Sequence, residues 1–131
     1  ADAIGLKLGI NMMGGSVSDR TFRAFAIGLI KTIRDGHPAT PLAVVSPICH
    51  PPREETPNVV DMTLQIMRQR LAEAVDVLQG YGDQNIHYID GLDLMGPDDV
   101  HLYIDGIHPS AAGYRFLADA YLREVMPKLG F

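Results

Sequence analysis

The stretch Leu42-Ala43-Val44-Val45 decides the fold of this chain of 131 residues. Its apolar, partly β-branched side chains predict a strand. Residues 19–35 precede it and residues 59–79 follow it, and in both segments apolar side chains recur every three or four positions, which predicts amphipathic helices. The predicted buried face of the first helix consists of Phe22, Phe25, Ala26, Leu29, Ile30 and Ile33. A proline-rich loop over residues 47–57 separates the strand from the second helix, and we expect this loop at the surface.

Further elements lie at the two ends of the chain. Strands are predicted over residues 3–10 and 86–89, and a last helix from about Ser110 to Val125, with Tyr114 among its core residues. The element order is therefore β-α-β-α-β-loop-α. Strands that alternate with helices pair in parallel through right-handed crossovers, with helices on both faces of the sheet. The sequence thus predicts an α/β domain.

The predicted sheet is narrow for a parallel sheet, since it has only three strands. The first of these strands begins at the third residue of the chain. We therefore expect that N-terminal strands are missing, and that residues 1–131 form the C-terminal part of a single domain. A sheet edge left bare in this way favours self-association between copies of the chain.

Composition and charge narrow the function classes. The net charge is −5 and no basic stripe is present, so we expect no nucleic acid partner. No apolar run approaches the roughly 20 residues that span a bilayer. Cys49 is the only cysteine, which excludes an internal disulfide framework and a multi-cysteine zinc site, and the histidines lack the spacing of metal ligands. We expect a cytoplasmic protein without a metal or organic cofactor, with secretion as the alternative.

The chemistry-bearing segment is Asp105-Gly106-Ile107-His108-Pro109, on a loop that leads into the last helix. An aspartate and a histidine three positions apart can turn toward one another, so that the carboxylate accepts the proton of one ring nitrogen. The other ring nitrogen is then free to act as a base. A structural turn that carries a solvated histidine is the alternative interpretation.

Two segments carry a family resemblance. The Asp-Gly-Ile-His-Pro segment, followed by Gly113-Tyr114 and a closing amphipathic helix, resembles the last block of the SGNH/GDSL hydrolases. Gly9-Ile10-Asn11, directly after the first predicted strand, resembles the Gly-x-Asn block of the same family. These enzymes are esterases, lipases, acetylhydrolases and occasionally acyltransferases. The resemblance implies a flavodoxin-like, three-layer α/β/α fold with a parallel sheet, of the SGNH-hydrolase type.

The resemblance also implies roles for three residues. Asp105 would orient His108, His108 would activate a serine, and the side chain of Asn11 would donate a hydrogen bond to the oxyanion. Met12 stands where the family often has an aspartate after this asparagine. An Asn11 that merely caps or closes a turn is the alternative.

A convincing nucleophile is not found in the sequence. The Gly-Asp-Ser block of the family has no counterpart, and we expect it upstream of Ala1. Ser16 follows two glycines but comes after Asn11 instead of before it. Either Ser16 or Ser18 is suited to capping the next helix. Cys49 is adjacent to His50, but neighbouring residues rarely orient correctly for catalysis, and we expect His50 at the surface.

The resulting prediction is an ester hydrolase of the esterase, lipase or acetylhydrolase type that uses a Ser-His-Asp triad. Its substrate would be a small-molecule or carbohydrate ester. We expect the 131-residue chain alone to be inactive, because it lacks the serine. The alternatives are an acyltransferase of the same fold and a catalytically inactive α/β interaction or carbohydrate-binding module.

Overall fold

The computed structural model describes residues 1–131 and contains one parallel sheet of three strands. The strands are β1 (Ile4–Lys7), β2 (Leu42–Val45) and β3 (Ile86–Ile89), in the order β1-β2-β3. Leu42 is paired with both outer strands, and all four residues of β2 are buried. The predicted bounds of β2 and β3 are confirmed. Strand β1 is shorter than predicted because the chain turns at Gly9, whose φ of 115° ends the extended conformation.

Five α-helices surround the sheet. They are α1 (Asp19–Gly36), α2 (Pro51–Glu54), α3 (Leu64–Gly80), α4 (Gly91–Leu94) and α5 (Ala111–Glu124). Short 3-10 turns cover Ile10–Gly14, Pro97–Leu102 and Met126–Leu129. Helices α1 and α3 pack on one face of the sheet, and α4, α5 and the last 3-10 turn pack on the other. Alternate residues of β2 serve the two faces, as the pleat requires. The predicted three-layer α/β/α fold is therefore confirmed. No helix combines the length and the apolar character that crossing a membrane requires.

The buried face of α1 is narrower than the sequence indicates. Phe22, Ala26 and Ile30 are buried, but Phe25 is 60% exposed and Leu29 is 41% exposed. Helix α1 packs mainly against α3, and β1 is an edge strand with no further strand beyond it. Nothing in the chain therefore covers the outer flank of α1, which lines an open apolar cavity of about 200 Å³.

The segment between β2 and α3 also departs from the prediction. Ile48, Cys49 and His50 are buried instead of lying at the surface. Pro51 and Pro52 are the first two residues of helix α2, where proline is tolerated because its missing backbone N–H is not needed. Helix α3 begins at Leu64 instead of residue 59, because the side chain of Thr63 caps it by accepting the N–H of Ile66 at 3.1 Å.

The expectation that Tyr114 lies in the core is wrong. Tyr114 is 57% exposed, since α5 turns Gly113 and Ala120 inward. Of the two serines predicted as possible caps of α1, Ser18 occupies the cap position, although its side chain makes no capping hydrogen bond there.

Candidate active site

The loops that follow the three strands emerge at the same edge of the sheet. This follows from the parallel pairing, because parallel strands place their carboxyl ends together, and ligands of open α/β sheets bind there. Asn11 lies in the loop after β1, His50 lies in the loop after β2, and Asp105 and His108 lie in the long segment after β3. The sequence-predicted site residues are therefore carried by loops of one sheet edge.

Asp105 and His108 form a hydrogen-bonded pair. The ring Nδ1 of His108 lies 2.7 Å from Oδ2 of Asp105. The other carboxylate oxygen accepts the backbone N–H groups of Ile107 at 3.0 Å and His108 at 2.8 Å. Because an ionised carboxylate can only accept, the proton of the neutral ring is on Nδ1, and Nε2 carries a free lone pair. Both side chains are more than half exposed, so a substrate can reach this nitrogen.

These contacts also fix the ionisation of Asp105. The hydrogen bond from the His108 ring, followed by those from the backbone N–H groups of His108 and Ile107, holds the pKa of the Asp105 carboxyl well below its usual range. Asp105 is therefore a carboxylate at neutral pH. A permanent negative charge beside the ring stabilises the imidazolium that forms when His108 takes up a proton.

A short antiparallel bridge between Tyr103 and Pro109 closes the turn that carries the pair. The N–H of Ile104 donates to the carbonyl of His108 at 2.8 Å. Gly106 adopts a φ of 83°, which allows the chain to reverse direction within four residues. The side chain of Ser110 then caps α5 by accepting the N–H of Gly113, so the turn ends on the start of a helix.

The loop after β2 contacts this turn at two places. Nδ1 of His50 lies 2.6 Å from the carbonyl oxygen of Gly106, and the hydroxyl of Tyr103 donates to the carbonyl of Cys49. The expectation that His50 is a surface residue is wrong, because the residue is only 7% exposed. Its position after the apolar pair Ile48-Cys49 is the one sequence signal that could have indicated burial.

Cys49 and His50 do not form a nucleophilic pair. The His50 ring is engaged by Gly106, and Cys49 is 1% exposed. Burial raises the pKa of the Cys49 thiol, so that its unreactive protonated form predominates.

Asn11 lies in the 3-10 turn after β1 and is exposed. Its loop packs against the loop after β2, since the side-chain amide of Asn58 donates to the carbonyl of Met13 at 3.0 Å. The side chain of Asn11 makes no hydrogen bond within the chain, and so it caps no turn and is free to contact a ligand. Ser16 is exposed in the same loop and makes no hydrogen bond to His108.

Comparisons with known proteins bear on the family and the fold of the chain. The model of the GDSL-like lipase/acylhydrolase family matches residues 1–116. No curated protein matches the chain. The salicylyl-acyltransferase SsfX3 of a tetracycline biosynthetic pathway has a similar structure, with 32% identity and a TM-score of 0.87 over 99% of this chain and 38% of SsfX3.

Two more distant structures show the same fold. A GDSL-like lipase from Bacteroides ovatus is 21% identical, with a TM-score of 0.73 over 99% of this chain and 36% of the lipase. A family two carbohydrate esterase from Clostridium thermocellum, solved in complex with cellohexaose, is 21% identical, with a TM-score of 0.74 over 98% of this chain and 36% of the esterase. The chain thus spans less than two fifths of each of these three proteins.

The family match covers most of the chain, and the fold agrees with it. The chain belongs to the GDSL-like lipase/acylhydrolase family.

Proposed function

We propose that this chain supplies the His-Asp half of an ester hydrolase, with the nucleophilic serine carried by a segment N-terminal to Ala1. The Asp105–His108 pair carries the proposal, because its hydrogen bond leaves Nε2 of His108 unprotonated and exposed. Asn11 is the proposed donor to the oxyanion. Its exposed and unbonded side chain at the same sheet edge supports that role.

The reaction follows the order of a serine hydrolase. Nε2 of His108 takes the proton of the serine hydroxyl as the serine oxygen bonds to the carbonyl carbon, and Asn11 donates to the oxyanion that forms. The C–O bond to the leaving alcohol then breaks, and His108 returns the proton to that alcohol. Water attacks the acyl-serine in the same manner, and releases the acid and the free serine.

Acyl transfer is the second candidate. It is favoured by the 32% identity with SsfX3, a protein named as a salicylyl-acyltransferase. In that reaction an alcohol other than water resolves the acyl-serine, and the roles of Asp105, His108 and Asn11 do not change. Adding a competing alcohol such as glycerol and measuring the ester formed against the acid released distinguishes transfer from hydrolysis.

The proposed substrate is an ester of a small molecule or a carbohydrate. An interaction or carbohydrate-binding module without activity is the alternative for the chain by itself. We also propose that copies of the chain self-associate through the unpaired edge of β1. Sedimentation equilibrium tests this, and a monomer at every protein concentration would contradict it.

Hydrolysis of p-nitrophenyl acetate tests the proposed function. We expect little turnover by residues 1–131, and turnover by a chain extended N-terminally to include the serine. In the extended chain, His108→Ala should lower kcat at least about a thousandfold. His101→Ala is the matched control, because His101 is an exposed histidine of the same segment with no contact to Asp105. Hydrolysis that survives His108→Ala would exclude His108 from the mechanism.

A further inference from the structure

We propose that His50 is a positioning residue for the turn that carries Asp105 and His108. It orients the peptide group between Gly106 and Ile107, and through that group it orients Asp105. The effect on catalysis rests on the function proposed above, whereas the effect on Asp105 does not. In the sequence, His50 has none of the features of the family blocks. Its importance follows only from the contacts in the structure.

The first observation is the contact itself. Nδ1 of His50 lies 2.6 Å from the carbonyl oxygen of Gly106, and His50 is nearly buried. A carbonyl oxygen only accepts, so Nδ1 of His50 carries a proton and is the donor. No other hydrogen bond reaches residues 105–107 from outside the turn. His50 thus makes the one hydrogen bond from the loop after β2 to residues 105–107, whereas the Tyr103 hydroxyl binds the same loop at the base of the turn.

The second observation is that one peptide group joins His50 to Asp105. The C=O of Gly106 and the N–H of Ile107 belong to the same planar trans peptide, so they point in opposite directions. His50 binds the C=O on one side, and Oδ1 of Asp105 accepts the N–H on the other side at 3.0 Å. A rotation of this peptide breaks both hydrogen bonds together.

The third observation is that packing does not hold this peptide in place. Gly106 has no side chain, and a Cβ built on it would have no atom within 4 Å. Glycine at a φ of 83° also has the conformational freedom to rotate. The hydrogen bond from His50 therefore supplies the restraint that packing does not provide.

His50 is itself held firmly. Its backbone N–H donates to Oε1 of Glu54 at 2.9 Å, and the other carboxylate oxygen of Glu54 forms an ion pair with the buried guanidinium of Arg68. Arg68 also donates to the carbonyl of Pro47 at 3.0 Å. These contacts connect the backbone of His50 to helix α3, so the residue that binds the turn is itself fixed to the protein core.

The test uses NMR on the 131-residue chain and needs no activity. The Asp105 carboxyl carbon is followed from neutral pH to the lowest pH at which the amide spectrum is that of the folded chain. In the unmodified chain we expect no titration step for Asp105. In His50→Leu, which keeps the bulk but removes the donor, we expect the pKa of Asp105 to rise, so that the start of a titration step appears at the acid end of the range. The step stays below the ordinary value of about 4, because both hydrogen bonds from His108 remain.

Two further variants separate positioning from a general loss of structure. His50→Asn places an N–H donor near the position of Nδ1, and it should restore the behaviour of the unmodified chain. His101→Leu should leave the Asp105 signal unchanged, because it removes a similar ring-to-carbonyl contact, at 2.9 Å to Asp98, that does not touch the turn. A folded His50→Leu chain with an unchanged Asp105 titration would overturn the proposal.

A second measurement tests the proposal even if His50→Leu fails to fold. Long-range ¹H–¹⁵N correlation spectra of the unmodified chain, with His50 neutral, should show the proton on Nδ1, and a proton on Nε2 would overturn the proposal. In the serine-containing chain, His50→Leu should lower kcat between about ten- and a hundredfold with little change in KM, and His50→Asn should recover it. An Asp105 shift in the 131-residue chain, together with a serine-containing chain that does not hydrolyse an ester, would support the role of His50 and refute the proposed function.

Discussion

The carboxylate of Asp105 contacts His108 twice, through the ring Nδ1 at 2.7 Å and through the backbone N–H at 2.8 Å. The two contacts use different oxygens of the carboxylate. Asp105 therefore fixes both the backbone that carries His108 and the tautomer of its ring. A substitution that keeps the shape of this side chain but changes its charge separates these two effects.

Asp105→Asn is expected to lower kcat of the serine-containing chain by about ten-thousandfold. The amide can donate to Nδ1 of His108, which favours the tautomer with the proton on Nε2 and leaves no base for the serine. Steady-state hydrolysis of p-nitrophenyl acetate measures the effect. Asp98→Asn is the control, since the carboxylate of Asp98 accepts no hydrogen bond. A loss below tenfold for Asp105→Asn would contradict the triad.

The stability of the chain should depend on Asp105 in a pH-dependent manner. Its pKa is lower in the folded chain than in the unfolded one, where it is about 4. Asp105 therefore stabilises the fold above that value, and the stabilisation is lost progressively as the pH falls toward the folded pKa. The Tm difference between the unmodified chain and Asp105→Asn should be largest above about pH 5 and should shrink below pH 4. A difference that is constant with pH would refute the hydrogen bonds to this carboxylate.

Asn11→Ala is expected to lower kcat by about a hundred- to a thousandfold without changing Tm. The loss of activity follows from the loss of a donor to the oxyanion. The constant Tm follows because the side chain of Asn11 is exposed and makes no hydrogen bond within the chain. Activity and thermal unfolding are measured on the same preparation. Unchanged kcat with a lowered Tm would assign Asn11 a structural role instead.

Gly91 at the start of α4 should not tolerate any side chain. A Cβ there would lie 2.3 Å from the carbonyl oxygens of Ser46 and Pro47, which are backbone atoms directly after β2. We expect Gly91→Ala to lower the free energy of unfolding by about 2–3 kcal/mol, measured with urea. Gly28→Ala is the control, because a Cβ at Gly28 in the exposed part of α1 meets nothing, and it should stabilise α1 by about 0.5–1 kcal/mol.

The central fold was predictable because its signals are local. The apolar run of β2 and the three-residue spacing of Asp105 and His108 each lie within a few neighbouring positions. The contact between His50 and Gly106 was not predictable, since the two residues lie 56 positions apart and glycine has no side chain to suggest a contact.

Helix periodicity failed where tertiary contacts decide burial. It placed Phe25 in the core, although no element covers that flank of α1. The periodicity also did not predict that Arg34 lies on the buried face of α1, where it is 7% exposed. The Arg34 guanidinium is accommodated there because Asp83 and the carbonyls of His37, Thr40 and Asn85 accept its N–H groups.

Cys49, the only thiol of the chain, is enclosed between two segments that follow β3. Its N–H donates to the carbonyl of Met95, and its own carbonyl accepts the hydroxyl of Tyr103. An alkylating reagent can therefore reach the sulfur only while these segments have moved apart. The rate of alkylation in the native state thus records how often the region beneath the Asp105–His108 turn opens, without any label having to be introduced.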